Sequence, residues 1–250
     1  MEAARLARCG DPHLAQRCAV VELWSPAHLA AVAATALAAA LLVAGARRGG
    51  EAFVVPAARA LALVLLAGFC GEQLAYALRG EWGVEVNLPF QLTDAVTLVA
   101  AAALWRRKQL LVELTYFWAL SATLQAVLTP DLGQDFPDVL YFTYFAAHSG
   151  AVAAACLLVF GAGQAPRRGA VGGVYAITAA FAAGAAIATV ATGGNYMFLR
   201  RKPSRGSLLD AMGPWPVYIV VGAALALVLF AALAALAQAV TAQRSRPPDP

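Results

Sequence analysis

Runs of about 20 apolar residues constrain this chain more than any other feature. A helix needs roughly 20 residues to cross the ~30 Å hydrocarbon core of a bilayer. A backbone in lipid must satisfy its own polar groups, so such runs become helices. Seven are legible, at about residues 26–45, 53–78, 87–105, 109–128, 139–161, 171–199 and 214–240. The expected fold is all-α, with seven transmembrane helices in one bundle over residues 25–241. Residues 1–24 read as an N-terminal tail without an apolar signal-peptide core, and residues 242–250 as a C-terminal tail. No separate soluble domain and no internal repeat is visible.

Composition agrees. Of the 250 residues, 61% are hydrophobic and 13% charged, against roughly a quarter charged in soluble domains. The net charge of +4 comes from loop arginines, and no basic patch on a folded scaffold points to nucleic acid. Seven spans invite comparison with retinal proteins. The only lysines are Lys108 and Lys202, both in loops, so no Schiff-base lysine is available. His13, His28 and His148 are isolated from other ligand types, so no metal site is expected, and no cofactor is implied. Cys70 and Cys156 sit in apolar runs and read as small core residues. Cys9 and Cys18 could pair if the tail is extracellular, although spacing alone does not establish it.

Orientation follows from Lys and Arg at the span ends. Dense clusters at Arg47–Arg48, Arg106–Lys108 and Arg167–Arg168 place the loops after spans 1, 3 and 5 inside, with the N-terminus outside and the C-terminus cytoplasmic. The cluster Arg200, Arg201, Lys202 and Arg205, after span 6, runs against this arrangement. It reads as retained for a function, such as contact with lipid phosphate, or as simple headgroup anchoring.

Polar side chains inside lipid are costly and should face inward. Five spans carry them at helical spacing. They are Glu72, Tyr76 and Arg79 on span 2; Asn87, Gln91 and Asp94, with Thr93 and Thr97, on span 3; Trp118, Ser121 and Gln125 on span 4; Tyr141, Tyr144 and His148 on span 5; and Thr189, Thr192 and Tyr196, with Asn195, on span 6. The acidic loop TPDLGQDFPD (residues 129–138) joins spans 4 and 5. The expectation is a polar cavity between spans 2 and 6 that opens outward, with His148 at its floor. Each element has a plainer alternative: an interfacial Glu72–Arg79 ion pair, packing or belt aromatics, and a hydrogen-bonded structural histidine.

The motifs LPFQLTD (88–94), ELTYFWALSATLQAVLTPDL (113–132), FPDVLYFTYFAAHSG (136–150), NYMFLRRKP (195–203) and SLLDAMGPWPVY (207–218) resemble the bacterial YwaF-like integral membrane proteins. The likeness spans about residues 25–240. That family is distantly similar to a eukaryotic transmembrane family of cysteine-dependent lysophospholipid acyltransferases. The resemblance implies membrane lipids as partners, His148 as general base, and Thr93 and Asp94 beside it. Glu72, Gln91, Gln125, Tyr141, Tyr144, Asn195 and Tyr196 would line the cavity, with Arg200, Arg201 and Lys202 holding phosphate. The family pattern LPLHLCD reads LPFQLTD here, so Gln91 replaces a histidine and Thr93 a cysteine. A hydroxyl is a far weaker nucleophile than a thiol at neutral pH. Covalent acyl transfer is therefore in question, and a non-enzymatic binding or transport protein using the same cavity is the alternative.

Overall fold

The computed structural model describes residues 21–203 and 207–244. The possible Cys9–Cys18 pair, His13 and Arg205 lie outside them. The described residues are all-helical, without strands. In chain order the elements are α1 (Pro26–Leu78), α2 (Leu92–Arg106), α3 (Gln109–Trp118), a π-helical turn (Ala119–Thr123), α4 (Leu124–Leu128), α5 (Val139–Cys156), a second π turn (Leu157–Gly161), α6 (Ala170–Thr192) and α7 (Val217–Arg244). Short 3₁₀ turns at Tyr196–Phe198 and Leu208–Met212 bridge α6 and α7. Five of these segments are long and apolar enough to cross a membrane: α1, α3 through α4, α5 with its π turn, α6 and α7.

α1 begins where the sequence dictates. Ser25 caps it by accepting from the His28 N–H at 3.2 Å, and Pro26 needs no donor at the first helical position. The helix is not straight. Gly50 has φ 53° and ψ −144°, a conformation open to glycine and closed to residues with a Cβ. The chain reverses there, because the Phe53 ring sits where a side chain on Gly45 would go. In an unbroken helix, eight residues would separate those positions by about 12 Å. α1 is therefore two arms, residues 26–49 and 51–78, folded as a hairpin.

The helix ends collect at two faces. At one, the connections 79–91, 129–138 and 193–216 carry Glu81, Glu85, Asp131, Asp135, Asp138 and Asp210. At the other lie the Gly50 reversal and the connections 107–108 and 162–169, with Arg47, Arg48, Arg106, Arg107, Arg167 and Arg168 in or beside them. Arg107 ties this basic end together. Its guanidinium is bidentate to Glu51 at 2.5 and 2.9 Å, and its Nε donates to Gln164 at 3.2 Å. Arg167 likewise grips Glu113 through Nε at 2.9 Å and Nη2 at 2.8 Å, while Gln109 donates to the same carboxylate at 3.0 Å. Glu113 is thus a satisfied buried acid.

α5 is the central helix, buried along most of its length and packed on both α1 and α2. Small residues let the backbones close. A Cβ on Gly68 would stand 3.1 Å from the Ala147 N and 3.2 Å from the Thr143 O, and one on Gly71 would stand 3.1 Å from Thr143 Cγ2. This close crossing resembles the small-residue contacts of membrane helices. A hydroxyl pair, Thr35 and Ser149 at 2.6 Å, joins the first arm to α5. The core fills with alanine, leucine and aromatic side chains from α1, α2, α3 and α5. α6 and α7 leave large apolar side chains exposed, among them Ile187, Val190, Val220 and Val228.

Three boundaries differ from the sequence reading. α2 starts at Leu92 rather than near residue 87, because residues 84–90, including Pro89, form turns. α6 stops at Thr192, where Gly193 adopts a left-handed cap with φ 77°. Cys70 faces outward and is exposed, whereas Cys156 is half-buried.

Candidate functional site

Most of the anticipated polar residues prove to be fasteners. Tyr141 Oη donates to the Ala27 carbonyl at 2.7 Å, closing α5 onto the start of α1. Gln125 donates to Thr129 on its own chain segment. Trp118 Nε1 donates to Thr178 Oγ1 on α6 at 2.8 Å. Ser121 bonds back to the Phe117 carbonyl at 2.5 Å. The π turn at Ala119–Thr123 breaks the regular spacing of Trp118, Ser121 and Gln125, so these three do not form one wall.

The 193–203 segment is held the same way. Asn195 Oδ1 accepts from the Arg200 and Arg201 N–H groups, both at 3.0 Å, and its Nδ2 donates to the Arg201 carbonyl at 2.8 Å. Gln91 Oε1 accepts from the Met197 N–H at 2.8 Å. Tyr196 is fully buried, donates to the Val84 carbonyl at 2.5 Å and accepts from Leu88 N. Burial pushes its phenol above the ordinary range, so it stays a neutral donor. Arg200 reaches the Gly193 carbonyl at 3.1 Å, and Lys202 lies 3.8 Å from Asp210 and over the Tyr218 ring. Local bonding therefore accounts for part of the basic cluster that opposes the orientation rule. Arg79 pairs with Asp138 at 2.6 Å rather than with Glu72.

What remains unbonded gathers around α5. The Gly68–Gly71 crossing sets Glu72 beside Tyr144. Glu72 makes no hydrogen bond or ion pair among the described residues, yet it interacts electrostatically with Asp94 and Tyr144. Asp94 lies in the first turn of α2, where a carboxylate suits the helix dipole, and it leans back to the Gln91 backbone N–H. The Thr93 hydroxyl beside it has no partner among the described residues; only its carbonyl is used, by Thr97. Tyr144 Oη donates to the Ala126 carbonyl at 2.9 Å, fixing α5 against α4.

His148 stacks on Tyr144, with ring centroids 3.8 Å apart and planes 20° from parallel. Its Nδ1 lies 2.8 Å from the Tyr144 carbonyl. A carbonyl only accepts, so Nδ1 carries the proton and Nε2 presents its lone pair. No described residue bonds to Nε2. His28 is the contrast. It is fully buried, its Nδ1 accepts from the Trp24 N–H at 3.0 Å, and its Nε2 donates to the Val127 carbonyl at 3.0 Å. One histidine is spent on structure, and the other keeps a free basic nitrogen.

Sequence reasoning missed Thr123. Its hydroxyl is fully buried and unpartnered within the first π turn. π turns often mark functional sites, but no sequence pattern announced this one. His28 and the Asp138 cap were likewise not singled out. Two cavities lie at the basic end, one beside Arg47 and one beside Glu113; neither is lined by the Glu72–His148 cluster. Among the described residues no group of His, Cys, Asp and Glu is arranged to hold a metal.

Fold and site together define a multi-pass helical membrane protein with a small unbonded polar cluster packed against its central helix. The chain belongs to the TMEM164 family, a transmembrane protein family whose model matches residues 23–234. No curated protein and no solved structure matches it.

Proposed function

We propose that this protein transfers an acyl chain onto a lysophospholipid hydroxyl, with His148 as the general base. The observation that carries the reading is the bare Nε2 of His148. His148 is buried in the bundle, oriented through Nδ1 by the Tyr144 carbonyl, and stacked on Tyr144, whose ring in turn interacts with the uncommitted Glu72 and with Asp94. In this scheme Nε2 takes the proton of the lysolipid hydroxyl as its oxygen attacks the donor ester carbonyl. The tetrahedral intermediate then expels the donor alkoxide, which takes the proton back from His148. General base assistance of this kind is worth roughly 10²–10⁴-fold. The proposal extends the YwaF-like resemblance and needs no cysteine, which suits a chain with threonine at position 93.

The same reading makes each arm of α1 a separate crossing and counts α2 as a shorter one, for seven in all. The Arg47, Arg107 and Arg167 end faces the cytoplasm of the plasma membrane, and the site lies toward the opposite leaflet. Purified protein in phosphatidylcholine vesicles, given a fluorescent lysophospholipid, should form labelled diacyl product. His148→Gln should abolish the product without loss of folded protein. Undiminished product from that variant refutes the base assignment. No product from the wild type, with labelled lysolipid still bound in a His148-dependent manner, would favour a binding protein instead.

A further inference from the structure

A second feature, separate from the His148 cluster, lies toward the basic end of the molecule. The first arm of α1 and the helix α7 frame a cavity of about 680 Å³, within the roughly 300–1,000 Å³ typical of small-molecule sites. Ala40 and Val43 line one wall and Leu236 and Val240 the other, and Arg47 and Arg48 close the end. The lining is small and apolar until the helix end, where two cations appear together. Neither arginine is in an ion pair among the described residues, although Arg107 and Arg167 nearby both are. Arg47 spends only its Nε, on the Phe160 carbonyl at 3.2 Å. Its terminal nitrogens and the whole Arg48 guanidinium remain available.

We propose that this groove is a binding site for one anionic phospholipid, its acyl chain along Val43 and Val240 and its phosphate on Arg47 and Arg48. Charge complementarity selects this occupant. An apolar trench alone would accept any acyl chain, whereas two unpaired guanidiniums at headgroup level favour a net-negative lipid over a zwitterionic one. A phospholipid there would fill the gap between the first arm and α7.

The test is native mass spectrometry of the full chain, exchanged from nanodiscs holding equal phosphatidylglycerol and phosphatidylcholine. The wild type should retain one phosphatidylglycerol preferentially. Arg47→Gln with Arg48→Gln should cut the preference by roughly 30-fold, from about 1 kcal/mol per basic group. The control Arg106→Gln with Arg168→Gln removes the same charge from the same end, outside the groove, and should leave the preference intact. Ala40→Phe, at an exposed position, should expel the lipid by filling the trench. Equal retention of both lipids by the wild type, or equal losses in the groove and control variants, overturns the proposal. An unfolded double variant leaves Ala40→Phe as the deciding case; retention there also overturns it.

Discussion

The same substitution should have opposite effects at two glycines. Exchanging glycine for alanine inside a helix gains about 0.5–1 kcal/mol through backbone entropy. At Gly184, within α6, an added Cβ meets nothing within 4 Å, so Gly184→Ala should realise that gain. At Gly68 the Cβ would stand 3.1 Å from the Ala147 N and 3.2 Å from the Thr143 O. Both are backbone atoms, and no rotamer change moves them aside. The second arm and α5 must separate by a few tenths of an ångström. Overpacking of this kind costs about 1–3 kcal/mol, so Gly68→Ala should be destabilising by about 1 kcal/mol after the helix gain. Thermal unfolding in detergent micelles, followed by tryptophan fluorescence, should show Gly184→Ala raised and Gly68→Ala lowered. About 2–4 °C per kcal/mol is expected at this chain length. The shift at Gly68 also moves Glu72 relative to Tyr144, so the proposed acyl transfer should fall further than stability alone requires. Equal shifts of the same sign at both sites would refute the packing argument.

Further outcomes follow at single residues. Asp138 both caps α5, accepting from Leu140 N at 2.8 Å, and pairs with Arg79. Asp138→Asn should keep most of the cap while Asp138→Ala loses both, and the difference in unfolding should be about 1 kcal/mol. Asn195→Ala removes the clip on the Arg200 and Arg201 amides, so limited trypsin digestion should cleave after those arginines several times faster than in the wild type. Thr93→Cys places a thiol at position 93, beside Asp94. It should yield a hydroxylamine-sensitive acyl-protein, visible as a mass increase, that the wild type lacks, whereas Gln91→His should destabilise by freeing Met197 N.

The membrane architecture was legible because hydropathy is a sum over many residues. Five helical segments are long and apolar enough to cross a membrane against the seven expected, and the 109–128 and 139–161 limits recur as α3 through α4 and as α5 with its π turn; the 26–45 and 53–78 runs merge into α1, and α2 is too short to count among the five. Local turn chemistry moved the rest. Pro89 and the preceding turns shorten α2, and Gly193 ends α6 before Asn195 and Tyr196. The site was less legible, because helical spacing reports a shared face but not the partner across it. Tyr141 and Tyr144 are three residues apart, yet one hydroxyl reaches the Ala27 carbonyl and the other the Ala126 carbonyl. Trp118, Ser121 and Gln125 appeared to share a face, but the π turn between them removes the regular geometry on which that inference rests. Thr123 was invisible for a related reason. A threonine in an apolar run has no signature until the structure shows that its hydroxyl is buried without a bond.

The free nitrogen of His148 is the centre of this account, and histidine-selective ¹⁵N NMR in nanodiscs tests it directly. The His148 resonance, assigned by its loss in His148→Gln, should show a protonated Nδ1 and an unprotonated Nε2. Added lysophospholipid should perturb Nε2 and leave His28 unchanged. A proton on Nε2, or no response to lysophospholipid at His148, would contradict the account.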